Sequence, residues 1–351
     1  MHRNAYAGAD FILSSFKYNR HLVPVALLAL TVLASAPLRA GDAEKCPLKT
    51  LATLKLTVSD AAVLVPVSVQ EREVWMVLDM ASSQTTIAQS AISALKLRTE
   101  NLPPKDPSLF FGKTPATQLA SLPQLMLGAL RFKKERFFVN PLPREAESVD
   151  GRPIVGALGM DALWSYDLEL DLASRKLTFY SQTHCASGQT VYWSNHFVRL
   201  PMDLGDVGTI HMAAELDGRK IEASLSTTSR ITTLTRDAAR QLFGFDEHSP
   251  DMEIQRDVTG RTSAVFRAME LTSGALTVKD VRIRLVPTIK DCRLTTPDGQ
   301  DGVASYEGCF GVSPLVLGRS LIERLRLYFA TAERAIYYTE QDGQSEVTAL
   351  R

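Results

Sequence analysis

The sequence has no net charge, because 39 lysine and arginine residues among its 351 positions are balanced by 39 aspartate and glutamate residues. Without a basic excess it lacks the field that attracts nucleic acid or an anionic membrane surface, so we expect neither as a partner. Hydrophobic residues make up 45% and charged residues 22% of the chain, a composition that argues against disorder and supplies a sizeable core.

Motifs for metal, phosphate and hydride chemistry are also missing. The six histidines show neither HExxH nor HxxxH spacing, which argues against a zinc site. No GxxxxGK[ST] phosphate loop, GxSxG nucleophile turn or GxGxxG dinucleotide fingerprint occurs. We therefore expect no metal and no cofactor.

An export signal is predicted for residues 1–40. Residues 22–38 form an uncharged apolar run that follows three basic residues and precedes the small residues Ala40 and Gly41. This order is typical of a secretory signal peptide, so we expect a periplasmic or secreted protein. The alternative is a retained membrane anchor, although the run is short for a span and two prolines interrupt it.

The rest of the chain is an internal duplication. Residues 67–97 align without gaps on residues 214–244, an offset of 147, with seven identities. Two further blocks recur in the same order at offsets of 146 and 159: residues 128–134 and 274–280, and residues 158–163 and 317–322. Three ordered blocks predict two similar halves.

The blocks also set the expected domain limits. We predict a first lobe at residues 45–183, a linker at 184–207 and a second lobe at 208–351. Two domains also agree with the length, at roughly 150 residues per domain. We expect the protein to be a monomer.

Within each half the local patterns are mostly those of strands. Residues 63–69 alternate apolar and polar side chains, and Asp217-Gly218 is typical of a hairpin turn. Short helices are expected at residues 88–95 and at their copy, residues 235–242. The predicted fold is all-β with short helices, in two tandem lobes.

Four cysteines follow the export signal: Cys46, Cys185, Cys292 and Cys309. An even count in an exported chain favours disulfides, and three pairings are possible. We favour Cys292 with Cys309, because the offset rises from 146 to 159 where these two residues bracket an insertion. Cys46 and Cys185 would then join the ends of the first half.

The first block carries the candidate functional residues. Its apolar strand ends in a short polar loop in both halves. The aligned loops are Asp79-Met80-Ala81-Ser82 and Ser226-Thr227-Thr228-Ser229. An acid therefore stands at the start of the first loop and a hydroxyl at the start of the second.

Strand, hairpin, strand, Asp-x-small-Ser and a short Ala/Leu helix together resemble the start of a retropepsin-like aspartic peptidase lobe. The hydrophobic-hydrophobic-Gly turns at residues 157–159 and 316–318 strengthen this resemblance. It implies two β-barrel lobes in a pseudo-dimer, with a cleft between them for an extended peptide. In the family, each lobe supplies one aspartate, and the two carboxylates share a proton to act as base and acid.

The sequence departs from the family pattern in both loops. Asp79 is retained, but Ser226 replaces its partner, and a serine hydroxyl is not an acid at useful pH. Met80 also lacks the hydroxyl with which the family's threonine joins the loops. The resemblance implies catalytic-type positions at Asp79, Ser82, Ser226 and Ser229, and cleft-lining positions at Met80, Ala81, Thr227, Thr228, Phe110 and Phe111.

Two functions follow from these residues. The first is an exported aspartic-type endopeptidase homologue that uses Asp79, with impaired hydrolysis or with a second carboxylate supplied by another chain. The second is a non-catalytic protein of the cell envelope that binds peptides or acts as a scaffold. For both functions, the expected partner is an extended peptide or protein.

Overall fold

The computed structural model describes residues 48–102, 110–111, 114–132, 134–141, 148–184, 190–205, 208–250, 252–256, 262–286 and 313–341. The segment Cys46–Arg351 forms one compact unit. The expected export signal and all four cysteines lie outside the described residues, so their roles stay predictions. No helix within the described ranges combines the length and apolar character needed to cross a bilayer.

The chain is mostly β, as predicted. The elements of the first half are β1 (Thr50–Lys55), β2 (Thr57–Val58), β3 (Val63–Val69), β4 (Arg72–Leu78), β5 (Thr86–Ala88), α1 (Gln89–Ala94), β6 (Arg98–Asn101), β7 (Phe110–Phe111), β8 (Thr114–Pro115), β9 (Gln118–Ser121), β10 (Leu125–Leu127), β11 (Leu130–Arg131), β12 (Arg136–Asn140), β13 (Ser148–Val149), β14 (Arg152–Leu158), α2 (Met160–Leu163), β15 (Asp167–Asp171) and β16 (Lys176–Tyr180). Those of the second half are β17 (Val198–Pro201), β18 (Asp203–Leu204), β19 (Ile210–Leu216), β20 (Arg219–Leu225), β21 (Thr232–Thr235), α3 (Arg236–Ala238), a π-helical turn (Ala239–Phe243), β22 (Glu253–Arg256), β23 (Thr262–Ser273), β24 (Leu276–Val286), β25 (Leu315–Leu317), α4 (Arg319–Ile322), β26 (Leu325–Ala330) and β27 (Ala335–Glu340).

Both halves build the same arrangement of strands around the candidate loops. In the first half β4 is parallel to β14, β14 is antiparallel to β5, and β5 is parallel to β12. In the second half β20 is parallel to β25, β25 is antiparallel to β21, and β21 is parallel to β24. The prediction of two similar β lobes is confirmed.

Each lobe contains a hairpin whose turn lies at the same place in the repeat. Asp217 and Gly218 between β19 and β20 have φ angles of 47° and 73°, and Gln70 and Glu71 between β3 and β4 have φ angles of 49° and 67°. Two successive residues with positive φ match the twist of the flanking strands. The Asp-Gly signal is local, whereas Gln70 and Glu71 show no such signal and are the residues that align on Asp217 and Gly218 in the repeat.

The short helices after the two loops differ from each other. The first, α1, agrees with the prediction for residues 88–95. At residues 235–242 the structure instead has the three-residue α3 followed by the π-helical turn Ala239–Phe243. The wider turn accompanies stacking of Phe243 on Phe245, whose ring centroids are 5.6 Å apart. This aromatic pair distinguishes the second lobe from the first.

A six-stranded sheet in the order β1-β16-β15-β26-β27-β17 joins the two halves. At its centre β15 and β26 pair antiparallel, with Leu168 opposite Phe329 and Asp171 opposite Arg326. Leu168 and Phe329 belong to the main hydrophobic core, which therefore continues from one lobe to the other. The strand β17 falls inside the predicted linker, so part of residues 184–207 is a strand of this sheet.

Candidate functional site

The two aligned loops contact each other between the lobes. The backbone N–H of Met80 donates to Thr227 Oγ1 at 3.2 Å, and that hydroxyl donates to the carbonyl of Leu78 at 2.6 Å. Met80 and Thr227 are 2% and 0% exposed, so both bonds form away from water. The contact brings their neighbours in the chain, Asp79 and Ser226, to the same interface.

Asp79 and Ser226 begin loops of the same backbone geometry. The N–H of Asp79 donates to the carbonyl of Leu158 at 3.0 Å, and the N–H of Ser226 donates to the carbonyl of Leu317 at 2.9 Å. Leu158 and Leu317 are the aligned last residues of β14 and β25. The repeat alignment therefore holds for individual hydrogen bonds.

The side chains of Asp79 and Ser226 also make comparable local contacts. Asp79 Oδ1 accepts from the N–H of Ala81 at 3.2 Å, and Ser226 Oγ accepts from the N–H of Thr228 at 3.3 Å and of Ser229 at 3.0 Å. The serine hydroxyl thus takes the turn-stabilising bond that the carboxylate takes in the first lobe. It holds the loop shape without supplying a group that ionises.

The loops differ in what they offer to a ligand. Asp79 is half-buried, Ser226 is buried, and Ala81 and Thr228 are exposed. The hydroxyls of Ser226 and Thr228 lie 3.1 Å apart. The first loop therefore supplies a carboxylate, and the second supplies a pair of hydroxyls.

Ser82 and Ser229 support the loops from within. Ser82 Oγ donates to the carbonyl of Gln84 at 2.9 Å, and Ser229 Oγ donates to the carbonyl of Ile231 at 2.7 Å. Both are bonds from a side chain to the backbone two residues ahead, a common way to fix a turn. The two serines were predicted as catalytic-type positions, and these contacts give them a structural role.

Each loop is crossed closely by the turn at the start of the third block. A Cβ added to Gly159 would lie 2.4 Å from the carbonyl carbon of Gln84, and one added to Gly318 would lie 2.5 Å from that of Ile231. Real side chains do not approach backbone so closely, so only glycine fits at either crossing. This explains the two hydrophobic-hydrophobic-Gly turns of the sequence.

A second contact between the lobes lies beside the loops and was not predicted. Arg230, at the end of the second loop, forms an ion pair with Asp60 of the first lobe. Arg319 is 1% exposed, and its Nη2 donates to the carbonyl of Asp60 at 2.8 Å. Asp60 lies 170 positions from Arg230, a separation at which no local pattern indicates a partner.

A buried polar cluster lies on the face of the six-stranded sheet that is turned away from the main core. Glu169, 3% exposed, accepts from Arg326 Nη2 at 2.6 Å and from the hydroxyls of Tyr180 and Tyr192 at 2.8 and 2.9 Å. Burial, with hydrogen bonds to Tyr192 and Glu169, raises the pKa of Tyr180, so this phenol stays a neutral donor. Burial beside Asp167 likewise raises the pKa of Tyr328.

The predicted cleft-lining aromatics are only partly described. Phe110–Phe111 forms strand β7, which pairs antiparallel with β8 in a separate two-stranded sheet. The side chains of Phe110 and Phe111 lie outside what the structure describes. Their role at a cleft stays a prediction.

One cluster of possible metal ligands occurs among the described residues. Ligand atoms of Asp246, Glu247 and His248 lie within 4.8 Å of one another, on a loop of the second lobe. Two arginines already approach Glu247: Arg236 at 3.6 Å and Arg240 at 3.8 Å. The cluster lies on a different segment from the two loops, and we assign it no metal.

Residues 65–162 match the family model described as aspartyl protease. The matched range begins in β3, passes through the Asp79 loop and ends in α2. This part of the first lobe is therefore similar to the aspartyl proteases, as the resemblance implied, and the strand order of the second lobe repeats that of the first. No curated protein sequence matches the chain.

The chain is also similar to several solved structures. An aspartic proteinase from Irpex lacteus is 12% identical, with 84% of this chain and 98% of that chain covered and a TM-score of 0.47. Conglutin gamma from lupine seeds is 12% identical, with 84% and 96% covered and a TM-score of 0.42. A retropepsin-like aspartic protease from Rickettsia conorii is 17% identical, with 42% and 94% covered and a TM-score of 0.27. At these identities and TM-scores, the similarities are too weak to extend the description of the fold given above.

Proposed function

We propose that the protein is an exported homologue of the retropepsin-like peptidases that binds extended peptides between its lobes without efficient hydrolysis. One observation carries the proposal: Ser226 stands where the second lobe would supply its carboxylate. Its Oγ accepts from the N–H groups of Thr228 and Ser229, as a loop-holding side chain does.

The chemistry of the family explains why this position decides between binding and hydrolysis. Two adjacent carboxylates share one proton, so one activates a water while the other donates to the peptide carbonyl. Asp79 supplies one of these roles at a time. Ser226 cannot supply the other, because a serine hydroxyl does not ionise at accessible pH.

The proposed ligand is an extended peptide or an unfolded segment of a protein. The fold supports this choice, since the loops lie at the junction of two similar lobes that are joined by a common sheet. Asp79 would accept hydrogen bonds from the peptide, and the exposed hydroxyl of Thr228 would contribute from the other lobe.

A second candidate function is slow hydrolysis that depends on Asp79. It is favoured by the intact geometry of the first loop, where Asp79 keeps its backbone bond to Leu158 and its turn bond to Ala81. In that case the missing carboxylate would come from another chain or from the substrate.

The two candidates are separated by one set of variants. The full-length protein, an Asp79→Asn variant and an Asp150→Asn variant are incubated with an unfolded protein from about pH 3 to pH 7, the range in which carboxyl pairs titrate. Asp150 is an exposed acid of the same lobe, so its substitution makes the same chemical change at a distance from the loops. Binding of labelled peptides of mixed sequence is followed by fluorescence anisotropy in parallel.

We expect peptide binding by the unmodified protein and the Asp150→Asn variant, weaker binding by the Asp79→Asn variant, and the same background cleavage in all three. Cleavage that disappears only in the Asp79→Asn variant would establish the second candidate instead. Absence of both binding and cleavage would overturn both.

We also propose that the protein is located in the periplasm or outside the cell, on the basis of the apolar run at residues 22–38. The predicted disulfides agree with that compartment. Cell fractionation and N-terminal sequencing of the purified protein test the location and the cleavage of residues 1–40 together.

A further inference from the structure

The segment that carries Asp79 is held by hydrogen bonds to a second acid of the same lobe, Asp161. Asp161 Oδ1 accepts from the backbone N–H of Thr85 at 2.7 Å and from the Thr85 hydroxyl at 2.5 Å. Its own N–H donates to the carbonyl of Ser83 at 3.1 Å. Asp161 therefore binds the end of the loop through both its side chain and its backbone.

A lysine completes this support. Lys134 Nζ donates to Asp161 Oδ2 at 2.7 Å and to Gln84 Oε1 at 2.8 Å, and it lies 5.5 Å from the ring centroid of Phe137. The side chains of Lys134 and Asp161 are 33% and 17% exposed. A partly buried pair with four charge-assisted bonds is stronger and more directional than a pair at the surface.

The support is connected to the start of the loop by further bonds. The Thr85 hydroxyl, which donates to Asp161, also accepts from the N–H of Gly159 at 3.0 Å. Gly159 follows Leu158, whose carbonyl accepts from the N–H of Asp79 at 3.0 Å. Lys134 and Asp161 thus act on the two chain segments that set the position of Asp79.

Among its described residues, the second lobe keeps the backbone bond of this support, from the N–H of Ser320 to the carbonyl of Arg230 at 3.1 Å, but it lacks the acid and the lysine. In the repeat, Ser320 replaces Asp161 and Asp280 replaces Lys134. Ser320 is exposed, and Asp280 forms an ion pair with Arg267 at 3.0 Å. The second loop is joined instead to the first lobe, through the bonds of Thr227 to Leu78 and Met80 described above.

We infer that Lys134 and Asp161 are positioning residues for the Asp79 loop, and that they fix it independently of the second lobe. They bond to Gln84 and Thr85, which follow Asp79 in the same segment. The inference deepens the proposed function and depends on it only where ligand binding is concerned, because the rigidity of the loop is measurable without a ligand.

Hydrogen exchange of backbone amides tests the inference, because the exchange rates of both loops are measured in the same sample of each variant. The variants are Lys134→Met, which removes the charge, Lys134→Arg, which keeps it, and Asp161→Asn. Arg136→Met is the matched control, because it breaks the more exposed pair with Glu100 in the same lobe. Residues 226–233 of the second loop serve as an internal reference for residues 79–86 of the first.

We expect exchange at residues 79–86 to accelerate roughly tenfold in the Lys134→Met and Asp161→Asn variants, and to change little in Lys134→Arg and Arg136→Met. Residues 226–233 should keep their rates. Equal acceleration in both loops would mean general destabilisation and would overturn the inference, as would unchanged rates in the first loop.

Peptide binding gives the second measurement. The affinity of labelled peptides should fall severalfold in Lys134→Met and recover in Lys134→Arg. If exchange at the first loop accelerates selectively while affinity stays unchanged, the role in ligand binding is overturned and the role in loop rigidity stands. If the unmodified protein binds no peptide, the proposed function fails, and the exchange rates still decide the positioning role.

Discussion

Thr227 of the second lobe donates its hydroxyl proton to the carbonyl of Leu78 in the first lobe at 2.6 Å, and the same oxygen accepts from the N–H of Met80. The aligned residue of the first loop is Met80, whose thioether cannot return such a bond. One hydroxyl therefore makes the contact for both loops. The two lobes are not equivalent at this interface, although their backbones are.

Replacing Thr227 by valine keeps the shape of the side chain and removes the hydroxyl. The N–H of Met80 and the carbonyl of Leu78 would both be left buried without this partner, at a cost of about 2–3 kcal/mol in the free energy of unfolding. Thermal and urea unfolding measure the loss. Thr228→Val is the control, because Thr228 is exposed and its substitution should cost less than about 0.5 kcal/mol. Equal costs would contradict the importance of the contact.

An aspartate introduced by Ser226→Asp would stand in the aligned position of Asp79. Ser226 is 3% exposed, so the introduced carboxyl would be buried near a like charge, and both effects raise the pKa of a carboxyl. A raised pKa in the folded state means that the variant binds more protons when folded than when unfolded. Its stability relative to the unmodified protein should therefore fall as the pH rises from about 4 to 7.

Unfolding of the Ser226→Asp and Ser226→Asn variants across this range checks the prediction, since the amide has the same shape and does not titrate. We also expect the Ser226→Asp variant to gain acid-pH cleavage of an unfolded protein, and an added Asp79→Asn substitution to abolish it. A loss of stability that is the same at every pH would show that the introduced carboxyl does not meet a second acid.

The repeat made much of the architecture predictable, since a residue in one half predicts the place of its copy. The turn at Gln70 and the matched bonds of Asp79 and Ser226 were accessible in this way. Both depend on backbone geometry, which a duplicated sequence keeps even where the side chains differ.

Contacts that belong to one lobe alone were not predictable. Asp161 binds Thr85 over 76 positions and Lys134 over 27, and neither pair recurs in the second half. The link from Asp60 to Arg230 crosses the lobes. Such contacts depend on how the folded sheets pack against each other. Neither the hydrophobic periodicity of the sequence nor its turn residues predict this packing.

Removing one partner from the ion pair of Arg326 and Glu169 should strongly destabilise the protein. Burial lowers the pKa of Arg326, but the hydrogen bond and charge of Glu169 outweigh this effect, so the pKa lies above its ordinary value. Arg326→Met would leave the buried Glu169 carboxylate with tyrosine donors and no counter-charge, at a cost of about 3 kcal/mol.

Urea unfolding measures the effect of Arg326→Met. Arg334→Met is the matched control, because the side chains of Arg334 and its partner Asp203 are 67% and 73% exposed and their pair contributes less than about 1 kcal/mol. Adding Glu169→Gln to Arg326→Met should restore part of the lost stability by removing the unpaired charge. A double variant that is less stable than Arg326→Met would contradict this explanation.

The close crossing at Gly159 can be tested by substitution, and the equivalent crossing at Gly318 in the second lobe can be tested in the same way. A methyl group at this position would lie 2.4 Å from the carbonyl carbon of Gln84, so Gly159→Ala must displace the loop of Asp79 and should cost about 3 kcal/mol. Gly318→Ala should cost about as much, because its methyl group would lie 2.5 Å from Ile231. Gly151→Ala is the control: it meets nothing within 4 Å and has a φ of +74°, so its strain of about 1 kcal/mol is conformational alone. Urea midpoints of the three variants decide the matter, and a cost at Gly159 no larger than at Gly151 would mean that the crossing has room for a side chain.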